Sequence, residues 1–336
     1  MKTDISLYLE NKFKNNKLLL DTKNLDELYN NFEKIYSGLT NNFLNNFERQ
    51  DIKFNSYHNY KKTTLFIDKT VITINYNKQI IKLNIYHNNE NLDIFLNNIL
   101  LVIYFMIEYS NFKKDVIIDY LLTDELKTIN NLEKNQILTK KEINSGLTDF
   151  RKNKIIIWRK EEIMKVTIHE LIHLFNLGIN KTSSKLINHY KKKYKISSNN
   201  IILDEAYTEF LAVLINIYLI TKFTKKKYNY FKYLLKLEIY FSIFQSKKIM
   251  YISKINKDHF IDINKYTQVL SYFIIKLELF MNLDKVLKLI NLKKINNLEK
   301  LLINFNKTIL NNSITVKLDM KIVKQMRMTL NELKLF

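Results

Sequence analysis

Ile168-His169-Glu170-Leu171-Ile172-His173-Leu174-Phe175 is the stretch on which the reading of this chain turns. His169 and His173 stand four residues apart, so a helix would project both imidazoles from one face, with Glu170 directly after the first. Two neutral imidazole nitrogens supply half of a tetrahedral zinc site, and a third protein ligand leaves one position open for water. Glu170 lies too far round the helix to ligate comfortably. It is placed instead to take a proton from that water and pass it on.

The neighbouring residues predict where this helix sits. Lys154-Ile155-Ile156-Ile157-Trp158 reads as a short strand, and Glu161 and Glu162 then open a helical pattern where acidic residues suit the dipole. Ile163, Val166, Leu171, Ile172, Leu174, Phe175 and Leu177 make the helix apolar over most of its surface, which predicts an interior helix that stops at Gly178. Buried imidazoles and a buried carboxylate need partners for their polar atoms, and a Zn2+ ion is one.

Downstream, Ile202 to Ala212 reads as a second helix that places Glu205 and Glu209 one turn apart on one face. The interval from His173 to Glu205 is 205 − 173 = 32 residues, enough for a connection that returns the second helix antiparallel to the first. Taken together, the HExxH stretch and Asp204-Glu205-Ala206-Tyr207-Thr208-Glu209 resemble the gluzincin clan, the thermolysin-like zinc metallopeptidases. The resemblance covers about Ile155 to Ala212. It implies that His169, His173 and Glu205 bind zinc, that Glu170 is the catalytic base for peptide-bond hydrolysis, and that Glu209 orients one of the histidines. Asp204 stands where the clan has asparagine, and Glu209 where it has aspartate; the longer Glu209 leaves an exchange of roles between the two glutamates open, with motif position ranking Glu205 first.

Related zinc classes lack their residues here. Asn176 and Ile179 occupy the places of the metzincin glycine and third histidine. The deformylase type needs a cysteine ligand, and there is no cysteine. None of Gly38, Gly146 and Gly178 lies in a Gly-x-Met-Glu-Asn aminopeptidase motif. The gluzincin resemblance further implies an edge strand that pairs with extended substrate, for which Lys154 to Trp158 is the candidate, with Ile156 and Trp158 as substrate-binding residues. It also implies an oxyanion-stabilising histidine or tyrosine from the second half of the chain. His259 ranks first because histidine is rare, ahead of Tyr266, Tyr272 and Tyr207.

Composition bounds the rest. The 336 residues are 46% hydrophobic, enough for a substantial core. A net charge of +21 invites a nucleic-acid or anionic-surface reading. Only four of the 54 basic residues are arginine, and proline is absent. With asparagine, isoleucine and tyrosine abundant, this is the residue usage of a strongly AT-rich coding sequence, as in some large DNA viruses, so charge alone does not argue for nucleic acid. A basic surface would still steer acidic peptides to a cleft in a salt-sensitive way. The absence of cysteine excludes disulfides, thiolate metal sites and cysteine nucleophiles. No signal-like segment opens the chain, and the longest apolar run, Ile99 to Ile107, is far short of a membrane span. An intracellular protein, cytoplasmic or packaged in a particle, is the expectation; oligomeric state is not legible.

In order, residues 1–60 are expected to form an amino-terminal helical segment. Residues 61–225 are expected to form the zincin-like core, and 226–336 a helical region. Thr64 to Ile67, Val71 to Tyr76 and Ile80 to Tyr86 alternate with period two and predict an antiparallel meander with turns at Asp68-Lys69 and Asn77-Lys78. A helix over Leu92 to Tyr109 and a strand over Asp115 to Leu122 follow, then a turn at Ser145 to Thr148. Further helices are expected over Tyr228 to Phe244, Tyr266 to Met281, Leu283 to Leu292, Leu298 to Phe305 and Ile322 to Leu335. The fold class is thus α+β: an antiparallel sheet in the first half, zincin-type helices, and a mostly helical carboxy-terminal half. Two alternatives remain beside the peptidase: a zinc-bound structural or interaction protein without catalysis, and a basic nucleic-acid-binding protein.

Overall fold

The computed structural model of the chain describes residues 1–15, 20, 22–39, 47–59, 63–129, 138–179, 181–255, 259–260, 264–305 and 320–336. The fold is α+β, with a six-stranded sheet in the first half and a mostly helical second half. The residues group into two compact units. One comprises Asn31–Leu126, Ser145–Leu177 and Lys334–Phe336; the other comprises Met1–Asn30, Lys127–Asn144 and Gly178–Leu333.

The sheet unit contains β1 (Phe47–Asn59), β2 (Thr63–Tyr76), β3 (Gln79–His87), β4 (Val116–Leu121), β5 (Gly146–Asp149) and β6 (Lys154–Ile157), in the spatial order β1-β2-β3-β4-β6-β5. Pairing is antiparallel for β1–β2, β2–β3 and β5–β6, and parallel for β3–β4 and β4–β6. Along β3, Ile81, Leu83 and Ile85 are fully buried while Ile80 and Lys82 are exposed, the period of two that the sequence carries. A long apolar helix, Asp93–Ser110, joins β3 to its parallel neighbour β4, as a parallel pairing requires.

Two sequence expectations fail here. Residues 47–59 are a strand, not part of a helical segment. As an outer strand β1 presents Glu48, Arg49, Gln50, Asp51 and Lys53 to solvent, so no buried stripe marks it, and those charges blunt an open edge. Asp68-Lys69 is not a turn either, because β2 runs straight through it. Cross-strand partners absorb both charges, Lys53 Nζ lying 2.7 Å from Asp68 Oδ1 and the Lys69 ammonium 5.1 Å from the Tyr86 ring centroid. The expected turn at Asn77-Lys78 is present, with both residues at positive φ (49° and 67°) in a two-residue hairpin.

The helical unit holds α1 (Asp4–Phe13), Ser184–Tyr194, Leu203–Phe223, Tyr228–Ile252, a π-turn over Leu270–Ile275 that runs into Lys276–Met281, Leu283–Asn291 and Leu298–Ile303. Thr3 caps α1 by accepting from the Ser6 N–H, and Ser183 caps the helix at 184 by accepting from Leu186. Glu278 is fully buried and takes hydrogen bonds from Tyr190 (2.8 Å), Tyr194 (2.5 Å) and Lys193 (2.7 Å), which ties Ser184–Tyr194 to Lys276–Met281. Burial raises the Glu278 carboxyl above its ordinary range.

The predicted helix over Ile322 to Leu335 is reduced to Met320–Val323. The residues that follow are held by buried Glu238, whose carboxylate accepts from Thr329 Oγ1, the Leu330 and Asn331 N–H groups and Asn331 Nδ2, at 2.6–3.1 Å. Those N–H groups would otherwise supply helical hydrogen bonds. Among the described helices, Asp93–Ser110 and Leu203–Phe223 have the length and hydropathy to cross a membrane, but 56% and 89% of their apolar windows are buried inside the protein, as in core helices.

Candidate metal centre

The HExxH stretch lies on α2 (Ile163–Leu174), placed directly after β6. The helix is fastened to the sheet by Tyr120 of β4, whose hydroxyl is 3.1 Å from Thr167 Oγ1, and by Phe175 stacked on Phe112 at 4.3 Å. Burial holds the Tyr120 phenol above its usual range. Gly178 does not end the helix. Asn176 does, at φ 53°: its N–H donates to the His173 carbonyl and that of Leu177 to Ile172, the paired pattern of a left-handed helix stop.

On this helix the histidines meet as their spacing predicts. His169 is 7% exposed and its Nε2 lies 3.2 Å from Nε2 of His173, with the rings 4.8 Å apart and inclined at 74°. Two imidazole nitrogens each about 2.1 Å from one tetrahedral ion would stand about 3.4 Å apart, so the pair already has the separation that a shared zinc imposes.

Glu170 is 7% exposed, and its environment comes from β5. Thr148 Oγ1 donates to Glu170 Oε2 at 2.8 Å and lies 3.2 Å from the Glu170 carbonyl oxygen. A Cβ at Gly146 would fall 2.5 Å from Oε1 of the same carboxylate. The stretch Ser145 to Thr148, read from sequence as a turn, instead enters the strand Gly146–Asp149 beside the helix. The only hint was the scarcity of glycine, three in 336 residues.

The second helix, α3 (Leu203–Phe223), carries Glu205 and Glu209. Tyr272, on the π-turn, donates to Glu205 Oε2 at 2.9 Å. Glu209 is fully buried with Oε1 3.6 Å from Lys276 Nζ, and Lys276 also donates to the Met328 carbonyl at 2.7 Å. Asp204 accepts the Ile179 N–H at 2.6 Å, and Gly178 lies so close that a Cβ there would be 1.8 Å from Asp204 Oδ1. Gly178 therefore serves close approach rather than helix termination.

His169 and His173 in the sheet unit, and Glu205 in the helical unit, can each offer one ligand atom to a metal ion. Two imidazoles and one carboxylate are the donor set of an open zinc site, so the residues fit a metal ion.

The other sequence candidates fall elsewhere. Strand β6 is paired on both sides, with β4 and β5, so it is not the edge; β5 is. Ile156 and Trp158, both partly buried, pack against a buried cluster of Phe66, Tyr86 and Leu121. His259 belongs to a two-residue strand, and its side chain lies outside the described residues. Tyr266 is 46% exposed, and Tyr207 is buried.

No protein-family profile matches the chain, and no solved structure matches it. Over 157 residues the chain is 27% identical to an uncharacterized protein of Acanthamoeba polyphaga mimivirus, a stretch that covers 42% of this chain and 40% of that protein. The match spans less than half the length of that relative.

Proposed function

We propose that the protein is a zinc-dependent peptidase of gluzincin type, in which His169, His173 and Glu205 hold the metal and Glu170 is the catalytic base. The observation that carries this reading is the 3.2 Å approach of two imidazole nitrogens one turn apart on α2. Zinc, when bound, supplies the positive charge that acidifies a water molecule and polarises the scissile carbonyl. Glu170 takes the proton of the attacking water and later delivers it to the leaving amine, held meanwhile by Thr148 through Oε2. Tyr272 holds the Glu205 carboxylate through Oε2. The substrate is a peptide, and the net charge of +21 favours acidic ones.

The test is elemental analysis of the purified, dialysed protein beside His169→Ala and Glu205→Ala, followed by a peptide-library cleavage assay. One zinc per chain, lost in both variants, with cleavage abolished by Glu170→Gln, is the expected result. A wild-type protein that takes up no zinc after incubation with the metal would sink the reading.

A further inference from the structure

We infer that Thr148 and Gly146, on strand β5, are positioning residues that fix the Glu170 carboxylate for proton transfer; the purpose assigned to them rests on the peptidase reading above. The two residues are separated by one position in a strand, so they share a face, and Leu147 between them points away and is 44% exposed. From that face Thr148 engages Oε2 at 2.8 Å, while the missing side chain at 146 makes the space that Oε1 and Cγ occupy. A bulkier residue at 146 would meet three atoms of Glu170 within 2.9 Å.

The chemistry selects these residue types. A base that must gain and lose a proton in each turnover is held best by a neutral donor, because an ammonium or guanidinium would stabilise only the charged form. A threonine hydroxyl supplies direction without charge, and its branched Cβ restricts χ1 so that the donor stays aimed. Glycine at 146 lets the strand backbone approach the carboxylate of a residue that is only 7% exposed. The side chain is thereby confined on two sides by the strand, through Thr148 and Gly146, and at its base by the helix that carries it. The strand is paired on one side only, by β6, through the register Gly146–Ile157 and Thr148–Ile155.

The test uses the full-length, zinc-loaded chain and a peptide that the wild type cleaves. Thr148→Val keeps the shape and removes the donor; it lowers kcat by about 10- to 100-fold with KM within about twofold. Thr148→Ser restores the donor and returns kcat to within about threefold of wild type. Gly146→Ala displaces the flexible end of Glu170 and lowers kcat as Thr148→Val does. A second measurement needs neither metal nor turnover: thermal unfolding of Thr148→Val, Glu170→Ala and the double variant. The Tm changes of the single variants fail to add by about 2 °C or more if the two side chains are coupled. Wild-type kcat in Thr148→Val, or additive Tm changes, overturns the positioning role and leaves the peptidase reading standing. Absence of turnover by the zinc-loaded wild type on any peptide of a library, with non-additive Tm changes, overturns the peptidase reading and with it the catalytic purpose of the contact.

Discussion

Helices α2 and α3 both present acidic side chains to a polar environment, yet they are furnished differently. On α2, Glu170 is met by a neutral threonine hydroxyl and by the space above a glycine. On α3, Glu205 is met by a tyrosine hydroxyl, and one turn further on Glu209 is met by the Lys276 ammonium in full burial. A cation beside a carboxylate fixes its charge, and a neutral donor fixes its direction. On the proposed reading, the hydroxyl beside Glu170 suits a group that changes protonation, and the ammonium beside Glu209 suits one that stays ionised.

Four experiments break or sharpen that contrast. The largest effect is expected at Glu170 itself: Glu170→Gln lowers kcat by about 1,000-fold or more while zinc stoichiometry stays at one, whereas Glu205→Gln loses both, as followed by cleavage assay and elemental analysis. If the two variants behave alike, the division of labour between the helices is wrong.

Second comes Glu238, a buried carboxylate whose hydrogen-bond donors among the described residues are neutral. It receives hydrogen bonds from Thr329, Leu330 and Asn331. Glu238→Ala would strand those donors and destabilise the protein by roughly 3–5 kcal/mol, read as a lowered denaturation midpoint in urea.

Third, Lys248 is the reverse case, a buried lysine with no carboxylate partner among the described residues; its ammonium donates to the Gln325 carbonyl. Burial lowers its pKa from 10.5 to about 7. Because the folded value is the lower one, the unfolded chain holds the extra proton between those limits, so stability rises as pH climbs from about 7 towards 10.5 and the cost is complete below 7. Lys248→Met should stabilise the protein by a few kcal/mol at pH 7, with the gain shrinking towards pH 10.5. Equal melting shifts at both pH values would contradict this.

The smallest expected effect is at Tyr272. Tyr272→Phe removes the donor to Glu205 and should weaken zinc binding by about tenfold in a chelator competition, with the Tm of the metal-free protein little changed.

Much of this was legible in the chain because it depends on local period. The alternation in β3, the one-turn spacing of His169 and His173, and the apolar run after Asp93 each signal their element without help from distant residues. What escaped depends on partners far away in sequence. β1 carries no apolar stripe because it is an outer strand, and only its pairing with β2 makes it a strand at all. The carboxy-terminal segment has helical spacing, but Glu238, about 90 residues earlier, takes its N–H groups. At the site, the ligand spacing was readable and the furnishing was not. Thr148 and Gly146 reach Glu170 across 22 and 24 residues, and no periodicity connects a two-residue strand face to a helix.

The left-handed backbone positions have a practical consequence. Among the described residues, all ten of them are occupied by residues with a side chain, among them Lys195, Lys225 and Lys293 just beyond helix ends, while none of the described glycines adopts positive φ. A branched-off Cβ in that conformation costs energy that glycine avoids, about 0.5–1 kcal/mol after allowing for the looser unfolded chain. The protein thus carries unused thermal headroom at three surface lysines, and replacing each with glycine offers a route to a hardier variant that leaves the histidines and their strand untouched.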